Sequence, residues 1–426
     1  MKILVIGNGG REHALCMFIN KSPVCDELYC IPGSDSIKEI AKCFEINPMN
    51  NNEILNFCLK YKIDFVVIGP ELPLSNGIVD KLRAEKINVF GPDKKSSQLE
   101  TSKIFMKNIC KKNKIPTAKY SAFDEEKNAI NFINEINFPT VIKADGLAAG
   151  KGVIIVNNKK DAIDCIKNIM SKKIFGNSGK NIIIEEFLQG EEISFFVLVD
   201  INGFILPLTT AQDHKKIGEG DKGLNTGGMG AYSPVPFIKQ KDISEFTKKF
   251  VEPIINHLKF EGIFFSGIFY AGLIISKDGP KLLEINVRFG DPEAQAILPR
   301  LKTDLVNLLF AASAGKLNQF KKLDWDDSFC INVVMTSKGY PKTYKKNTII
   351  NGLDKIAVNK SKYIFHASTK KNDDRWLATG GRVISLSALG STLKIAKDNA
   401  YNTIKKIDWG NSYYRKDIGW RHLWQK

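Results

Sequence analysis

The stretch Lys281-Leu-Leu-Glu-Ile-Asn-Val-Arg-Phe-Gly-Asp-Pro-Glu293 sets a carboxylate, a carboxamide and a guanidinium at alternate positions of an apolar run. Leu282, Leu283, Ile285 and Val287 predict a buried strand, in which successive side chains point to opposite faces. Glu284, Asn286 and Arg288 then share one face. Such groups are costly in a core unless something neutralises them. A hard cation on the oxygens of Glu284 and Asn286, with Arg288 holding an anion beside them, would do so. Mg²⁺ suits, because it takes few protein oxygens and completes its shell with water and phosphates. A half-exposed strand whose polar face meets water is the alternative, and this stretch by itself leaves both open.

Upstream, Val141-Ile-Lys-Ala-Asp-Gly-Leu-Ala-Ala-Gly-Lys-Gly152 runs into the apolar Val153-Ile-Ile-Val156. That pattern predicts strand, glycine-rich turn, strand. Gly146, Gly150 and Gly152 let backbone N–H groups converge on phosphate oxygens, and Lys143 and Lys151 supply point charges for them. It is not a Walker A loop, since the Gly-Lys-Ser/Thr ending and the following helix are missing. With the carboxylate–asparagine strand about a domain's length downstream, the two stretches predict a nucleotide site between two sheets.

The chain of 426 residues suffices for two to four domains, and 43% apolar with 25% charged residues is the composition of a soluble globular protein. No apolar run approaches a membrane span, and Met1-Lys-Ile-Leu-Val-Ile-Gly enters a strand directly, without a signal peptide's pattern. A cytoplasmic location is expected. The eight cysteines show no Cys-x-x-Cys pair and no zinc spacing. They are expected to be reduced and mostly buried. The net charge of +16, from 62 basic and 46 acidic residues, raises nucleic-acid binding as a rival function. The lysines are dispersed and form no basic block, so a solvated surface that attracts phosphorylated substrates is the preferred reading.

Residues 1–100 alternate strand and helix, which predicts a doubly wound parallel sheet with ligands at the carboxyl ends of its strands. Residues 101–325 hold the nucleotide motifs, with a lid at about 118–192. Residues 326–426 read as a small C-terminal α+β domain, making the fold class α/β and α+β multidomain. The first loop, Gly7-Asn-Gly-Gly-Arg11, invites a dinucleotide reading. The fingerprint would need glycine where Glu12 stands, and no ribose-binding acid follows about 20 residues on. A phosphate site at a helix N-terminus is the reading retained.

Further strings carry a resemblance: Val5-Ile-Gly-Asn-Gly-Gly-Arg-Glu-His-Ala-Leu15, Ile68-Gly-Pro-Glu-Leu-Pro-Leu74, Ala211-Gln-Asp-His-Lys-Lys216, Asn225-Thr-Gly-Gly-Met-Gly-Ala-Tyr-Ser-Pro234 and Tyr414-Arg-Lys-Asp-Ile-Gly-Trp-Arg421. Together with the two stretches above they resemble, in order and over essentially the whole chain, the phosphoribosylamine–glycine ligase family of the ATP-grasp superfamily. The resemblance implies a two-subdomain ATP-grasp core that joins glycine to 5-phosphoribosylamine through glycyl phosphate, consuming ATP with Mg²⁺ or Mn²⁺ on Glu284 and Asn286.

It also implies roles for single residues. Lys103, Lys143, Gly146, Gly150, Lys151 and Gly152 would meet the ATP phosphates. In Ile182-Ile-Ile-Glu-Glu-Phe-Leu-Gln-Gly-Glu-Glu-Ile-Ser194, Glu185 would take the adenine N6 edge, the Leu188 backbone N1, and Glu192 the ribose. Asn8, Gly9, Gly10 and Arg11 would hold the phosphate of the second substrate, and Glu71 its ribose or amine. Arg288 would steady the reacting carboxylate or phosphoryl group. Asp213 and Asp291 would contact glycine's ammonium or the ribose. Gly227, Gly228 and Met229 would close over the intermediate, and Lys370 and Arg382, with His366, would reach across the cleft. His214 is open between base and structural hydrogen bond. A monomer or weak dimer is expected, with small-molecule substrates and neither nucleic acid nor membrane as partner. Two rivals stay open: another ATP-grasp carboxylate–amine ligase or carboxylase, and a basic nucleic-acid-binding protein.

Overall fold

The computed structural model describes residues 1–148, 150–356 and 359–423. The N-terminal region is a five-stranded sheet in which Lys42–Cys43, Glu27–Pro32, Lys2–Gly7, Phe65–Ile68 and Asn88–Phe90 lie side by side in that order, all parallel. Its central strands are uninterrupted apolar runs because helices cover both faces, leaving Ile3, Leu4, Val5 and Ile6 wholly buried. The chain runs outward from Lys2–Gly7 to Lys42–Cys43 and then returns to the other side of Lys2–Gly7, which makes that strand the switch point where open α/β sheets open a crevice. Glu12 fills that crevice's floor, accepting from the Gly9 N–H at 2.7 Å.

The region expected as a lid is an antiparallel four-stranded sheet, ordered Tyr120–Phe123, Ile182–Glu186, Thr140–Ala144, Val153–Val156. Helices Glu126–Ile133 and Lys159–Met170 pack on it through Ala129, Ile133, Ala162, Ile166 and Ile169, which close a core separate from the rest of the molecule.

The remaining large sheet has nine strands. Gly279–Asn286, Gly267–Ser276, Glu191–Val199, Ile205–Asp213, Gly230–Ser233, Phe329–Ser337, Arg382–Gly390 and Lys362–His366 follow one another, and Ser412–Tyr413 adds to Phe329–Ser337. The sheet thus runs unbroken from its first five strands into the C-terminal region through Gly230–Ser233 against Phe329–Ser337. Helix Leu393–Ile404 covers the C-terminal part, and a two-stranded hairpin, Lys216–Gly218 with Lys222–Asn225, projects from the middle.

One local expectation changes. Strict alternation would bury Leu283, but a β-bulge shifts the pairing, so that Gly272 opposes Glu284 and Leu273 opposes Leu282. Leu283 is left half-buried, while Leu282 and Ile285 are buried and Glu284, Asn286 and Arg288 remain on the more open side. No helix among the described residues is long and apolar enough to cross a membrane.

Candidate active site between the lid and the large sheet

The glycine-rich turn lies between Thr140–Ala144 and Val153–Val156, as the sequence predicts. Gly150 has φ +74°, a conformation that side chains disfavour. Lys103 reaches the turn from helix Lys103–Lys112, its Nζ 3.1 Å from the Gly146 carbonyl. The helix start is fixed there because Ser102 Oγ accepts from the Phe105 N–H and Asp145 from the Ile104 N–H. Lys143 Nζ is held by Glu185 at 2.8 Å and by the Leu283 carbonyl at 3.3 Å. Lys151 stands exposed on the turn.

Glu284 faces this basic group from the large sheet. Lys215 Nζ lies 3.3 Å from its carboxylate and 3.1 Å from that of Glu192. Lys215, then Lys143 and Lys103, hold the Glu284 carboxyl down at about 2 although burial opposes them. Burial likewise works against the charge of Lys215, but Glu192 and Glu284 outweigh it and push the amine up. Glu284 and Asn286 offer a divalent cation one charged and one neutral hard oxygen, the donor chemistry of an Mg²⁺ or Mn²⁺ site shared with phosphates.

Arg288 joins the nucleotide side to the N-terminal sheet. Its guanidinium donates to Glu100 at 2.9 Å, Glu71 at 3.3 Å and Asn286 Oδ1 at 3.3 Å. Burial pushes the Glu100 carboxyl up, whereas the more open Glu71 is held below the usual range by Arg288 and Arg11 despite its own burial. Next to it, Glu293 accepts from Tyr270 at 2.8 Å and Ser194 at 3.1 Å. Asp213 is half-buried, its Oδ1 buried with no hydrogen-bond partner, and burial followed by the charge of Glu293 drives its carboxyl well above the usual range. A buried, unpartnered carboxylate oxygen beside another acid is a place for a cation with N–H donors.

Beyond Asp213 a cavity of about 920 Å³ opens between the N-terminal and C-terminal regions, lined in part by Asn8, Gly9, Asp291, Tyr340, Lys370 and Arg382. It lies at the carboxyl ends of the first three strands of the parallel sheet. Arg382 spans its inner wall, donating to the Gly227 carbonyl and to the Asp291 carbonyl at 2.8 Å. The Arg382 and Arg11 charges hold the Asp291 carboxyl down against its burial. Gly228, φ +107°, packs edge-on between Pro292 and Asp213.

Several expectations need correction. Met229 is fully buried in the C-terminal core, because its backbone pairs with His214 and Val334 and turns the side chain away from the cleft. Arg11 also points inward, donating to Glu12 at 2.6 Å and to the Phe289 carbonyl at 3.0 Å, so it closes the domain junction. Gly10 sits against Gln295, where a Cβ would lie 2.7 Å from Nε2, and its need is close packing. The Glu185 carboxylate is buried between Lys143 at 2.8 Å and Lys107 at 3.0 Å, so only its backbone remains for an adenine edge. His214 accepts the Gly419 N–H on Nε2 at 3.1 Å, and burial, then Arg415, lowers it to about 3; it is a structural neutral histidine. His366, expected at the cleft, is buried with Nδ1 on Thr369 at 3.0 Å. Leu188 lies half-buried in the turn at 187–190, and Glu192 is half-exposed beside Lys215.

Glu100, Lys107, Lys215 and Glu293 were not singled out by their sequence pattern. Lys107 is wholly buried, with Nζ on Thr117 Oγ1 at 2.8 Å and the Ala118 carbonyl at 3.1 Å. A lysine on the apolar face of a helix is the signal that would have found it.

Comparisons with known proteins agree along the chain. Models described as Phosphoribosylglycinamide synthetase N domain, ATP-grasp (A) domain and C domain match residues 1–100, 101–294 and 330–421. The phosphoribosylamine–glycine ligase of Caldanaerobacter subterraneus subsp. tengcongensis is 45% identical over 418 residues, covering 98% of this chain and 99% of that protein. The crystal structure of phosphoribosylamine–glycine ligase from Thermotoga maritima superposes with a TM-score of 0.83 at 30% identity, over 98% of this chain and all of that one. A biotin carboxylase domain of Hydrogenobacter thermophilus 2-oxoglutarate carboxylase reaches a TM-score of 0.76 at 16% identity, over 97% of this chain and 91% of that one, a likeness of fold alone.

Proposed function

The chain belongs to the phosphoribosylamine–glycine ligase family, and from that membership we propose how its residues divide the work. The protein is an ATP-dependent ligase of de novo purine biosynthesis, joining glycine to 5-phosphoribosylamine to give glycinamide ribonucleotide, ADP and phosphate. A carboxylate and an amine do not condense in water unaided. Phosphorylation of glycine's carboxylate to glycyl phosphate supplies the leaving group, and such transfer demands charge stabilisation more than a protein nucleophile.

Lys103, Lys143, Lys151 and the Gly146, Gly150 and Gly152 backbone hold the ATP phosphates. Glu284 and Asn286 hold the divalent ion, Mg²⁺ or Mn²⁺, which would neutralise charge on the phosphates. The backbone at Glu185 and Leu188 takes the adenine edge, with Glu192 at the ribose. Arg288, fixed between Glu71 and Glu100, presents its free face to the anion being formed. Asp213, whose buried Oδ1 has no hydrogen-bond partner, receives glycine's ammonium. The 5-phosphoribosylamine lies in the cavity with its phosphate toward Asn8, Gly9 and Lys370, and its amine toward Asp291, Arg382 and the 227–228 turn. The turn excludes water from the acyl phosphate. We place the enzyme in the cytoplasm, without a nucleic-acid partner.

One observation supports this division above the others. Arg288 ties Asn286 to Glu71 and Glu100, Arg382 holds the Gly227 and Asp291 carbonyls at the cavity wall, and the charges of Lys215 and Arg382 both reach Asp213. The test is ADP release with Mg-ATP, glycine and freshly generated phosphoribosylamine, omitting each in turn. Turnover that needs all three, with alanine and bicarbonate unable to replace glycine, is expected. Turnover indifferent to phosphoribosylamine, or driven by bicarbonate, refutes the assignment.

A further inference from the structure

The run at 414–421 takes no part in the site just described, yet it ends on it. Arg415 is fully buried, with Nε and Nη2 on the two oxygens of Asp417, both at 2.8 Å. Its Nη1 reaches across to Asp221 Oδ1 at 2.8 Å and the Lys216 carbonyl at 3.0 Å. Arg421 donates to the other oxygen of Asp221. The Asp417 carboxylate accepts the Gly220 N–H at 2.8 Å, the Glu219 carboxylate accepts the Lys416 N–H at 3.2 Å, and Tyr413 donates to the Ile217 carbonyl at 2.9 Å. Apart from Asp417, these partners lie on the projecting hairpin, in its strands Lys216–Gly218 and Lys222–Asn225 or in the 219–221 turn that joins them. Two further bonds from the tail reach the nucleotide side itself, Gly419 to His214 at 3.1 Å and His422 to Glu191 at 3.1 Å.

Apart from Ile217, which packs against the C-terminal core, the hairpin has little to hold it otherwise. Residues 219–224 are mostly exposed, and a two-stranded hairpin alone is marginally stable in water. Its turn carries Gly220 at φ +62° and Asp221 at φ +56°, the second being unfavourable for a residue with a side chain. Yet both of its roots touch the reaction centre. Lys215, beside Glu284, immediately precedes it. At its other end the Asn225 side-chain amide lies 3.5 Å from the Val153 carbonyl of the lid, and the Thr226 carbonyl lies against Gly150.

We propose that the 414–421 segment is a positioning element, Arg415 chief among its residues, that holds the 216–225 hairpin so that Lys215 faces Glu284 and the glycine-rich lid turn can seat against Asn225 and Thr226. The role lies in closure and phosphoryl transfer, not in adenine binding, and it rests on the nucleotide site proposed above.

The decisive comparison is wild type against Arg415→Lys, which keeps the charge but loses the fork, and Asp221→Asn, which removes the hairpin-side partner at a partly exposed turn. Each is measured for kcat, for the dissociation constant of Mg²⁺ with a β,γ-imido ATP analogue, and for tryptic cleavage after Lys151 with and without the analogue. Both variants are expected to bind the analogue within twofold of wild type, lose at least tenfold in kcat, and leave Lys151 open to trypsin where the wild type is protected. Should Arg415→Lys fail to fold, Asp221→Asn carries the same test. Wild-type kcat and protection in a folded variant overturn the proposal. So does a loss of kcat, analogue affinity and thermal midpoint together, which marks a structural anchor only. A wild type whose cleavage ignores the analogue refutes the nucleotide-site reading first, and the positioning role falls with it.

Discussion

Replacing Gly228 by alanine probes how closely the 227–228 turn must fit the reaction centre. Gly228 has φ +107°, a region where an L side chain costs about 1–3 kcal/mol. A Cβ there would lie 2.3 Å from Pro292 Cδ and 2.8 Å from Asp213 Oδ1. Pro292 is a ring fixed in its own turn and cannot swing aside, so backbone must move; overpacking of this kind adds about 1–3 kcal/mol. The total, about 2–6 kcal/mol, is relieved most easily by displacing the turn, and a misplacement of about 1 Å near the chemistry is worth about 10²-fold in rate. Gly227 is the internal control. Its φ is not left-handed, and its Cβ would meet Arg382 Cζ at 3.1 Å, the far end of a flexible side chain. ADP release with each substrate varied should give a kcat/KM for glycine lower by about 10²-fold in Gly228→Ala and by no more than about 10-fold in Gly227→Ala. Nucleotide affinity should be unchanged in both. Gly228→Ala within threefold of wild type, or Gly227→Ala the more damaged of the two, refutes the reasoning.

Other expectations follow from charge and contact. Glu284 is held at about 2 against an ordinary 4.5, so the stability it gives is complete above about 4.5 and is lost as pH falls toward about 2. Acid denaturation of Glu284→Gln should therefore differ from wild type most above about 4.5, less through that window and least near pH 2; equal differences at pH 2 and pH 6 would contradict the ion cluster. His214→Gln, which keeps an acceptor for the Gly419 N–H, should retain turnover within about 10-fold, since a neutral buried histidine takes no proton between pH 5 and 8; a loss beyond 10³-fold at intact nucleotide affinity would make it the base. Lys370→Ala should raise KM for phosphoribosylamine about 10-fold, an effect of about 1.4 kcal/mol, and leave KM for glycine and ATP alone. Equal rises in all three constants would place Lys370 outside the second-substrate site.

What could be read in the chain was whatever is local. Four consecutive apolar residues at Ile3–Ile6 demand cover on both faces, and the glycines around Lys151 demand a turn, so the parallel sheet and the lid hairpin follow from neighbours in sequence. Side chains that meet across the fold left no such trace. Arg288 and Glu100 are 188 positions apart, and Lys215 and Glu284 are 69 apart. Nothing periodic near Glu100 announces a buried partner. The direction of Met229 was equally hidden, since a glycine-rich turn has no alternation to follow. Arg11 misled for a related reason: a guanidinium beside a phosphate loop satisfies the pattern whichever way it points. The bulge at Leu283 was invisible because the extra residue becomes apparent only against the partner strand.

The nine-stranded sheet has a consequence for how the chain can be divided. A cut near residue 325 looks natural by domain convention, but it would part Gly230–Ser233 from Phe329–Ser337 along their shared ladder. Each fragment would then show a bare strand edge flanked by apolar faces, Tyr232 and Met229 on one side and Ile331 and Val333 on the other, the kind of edge that recruits other chains. The C-terminal quarter is therefore no transplantable module. It shares its ladder with the core, whereas the region at about 118–192 keeps a small core of its own.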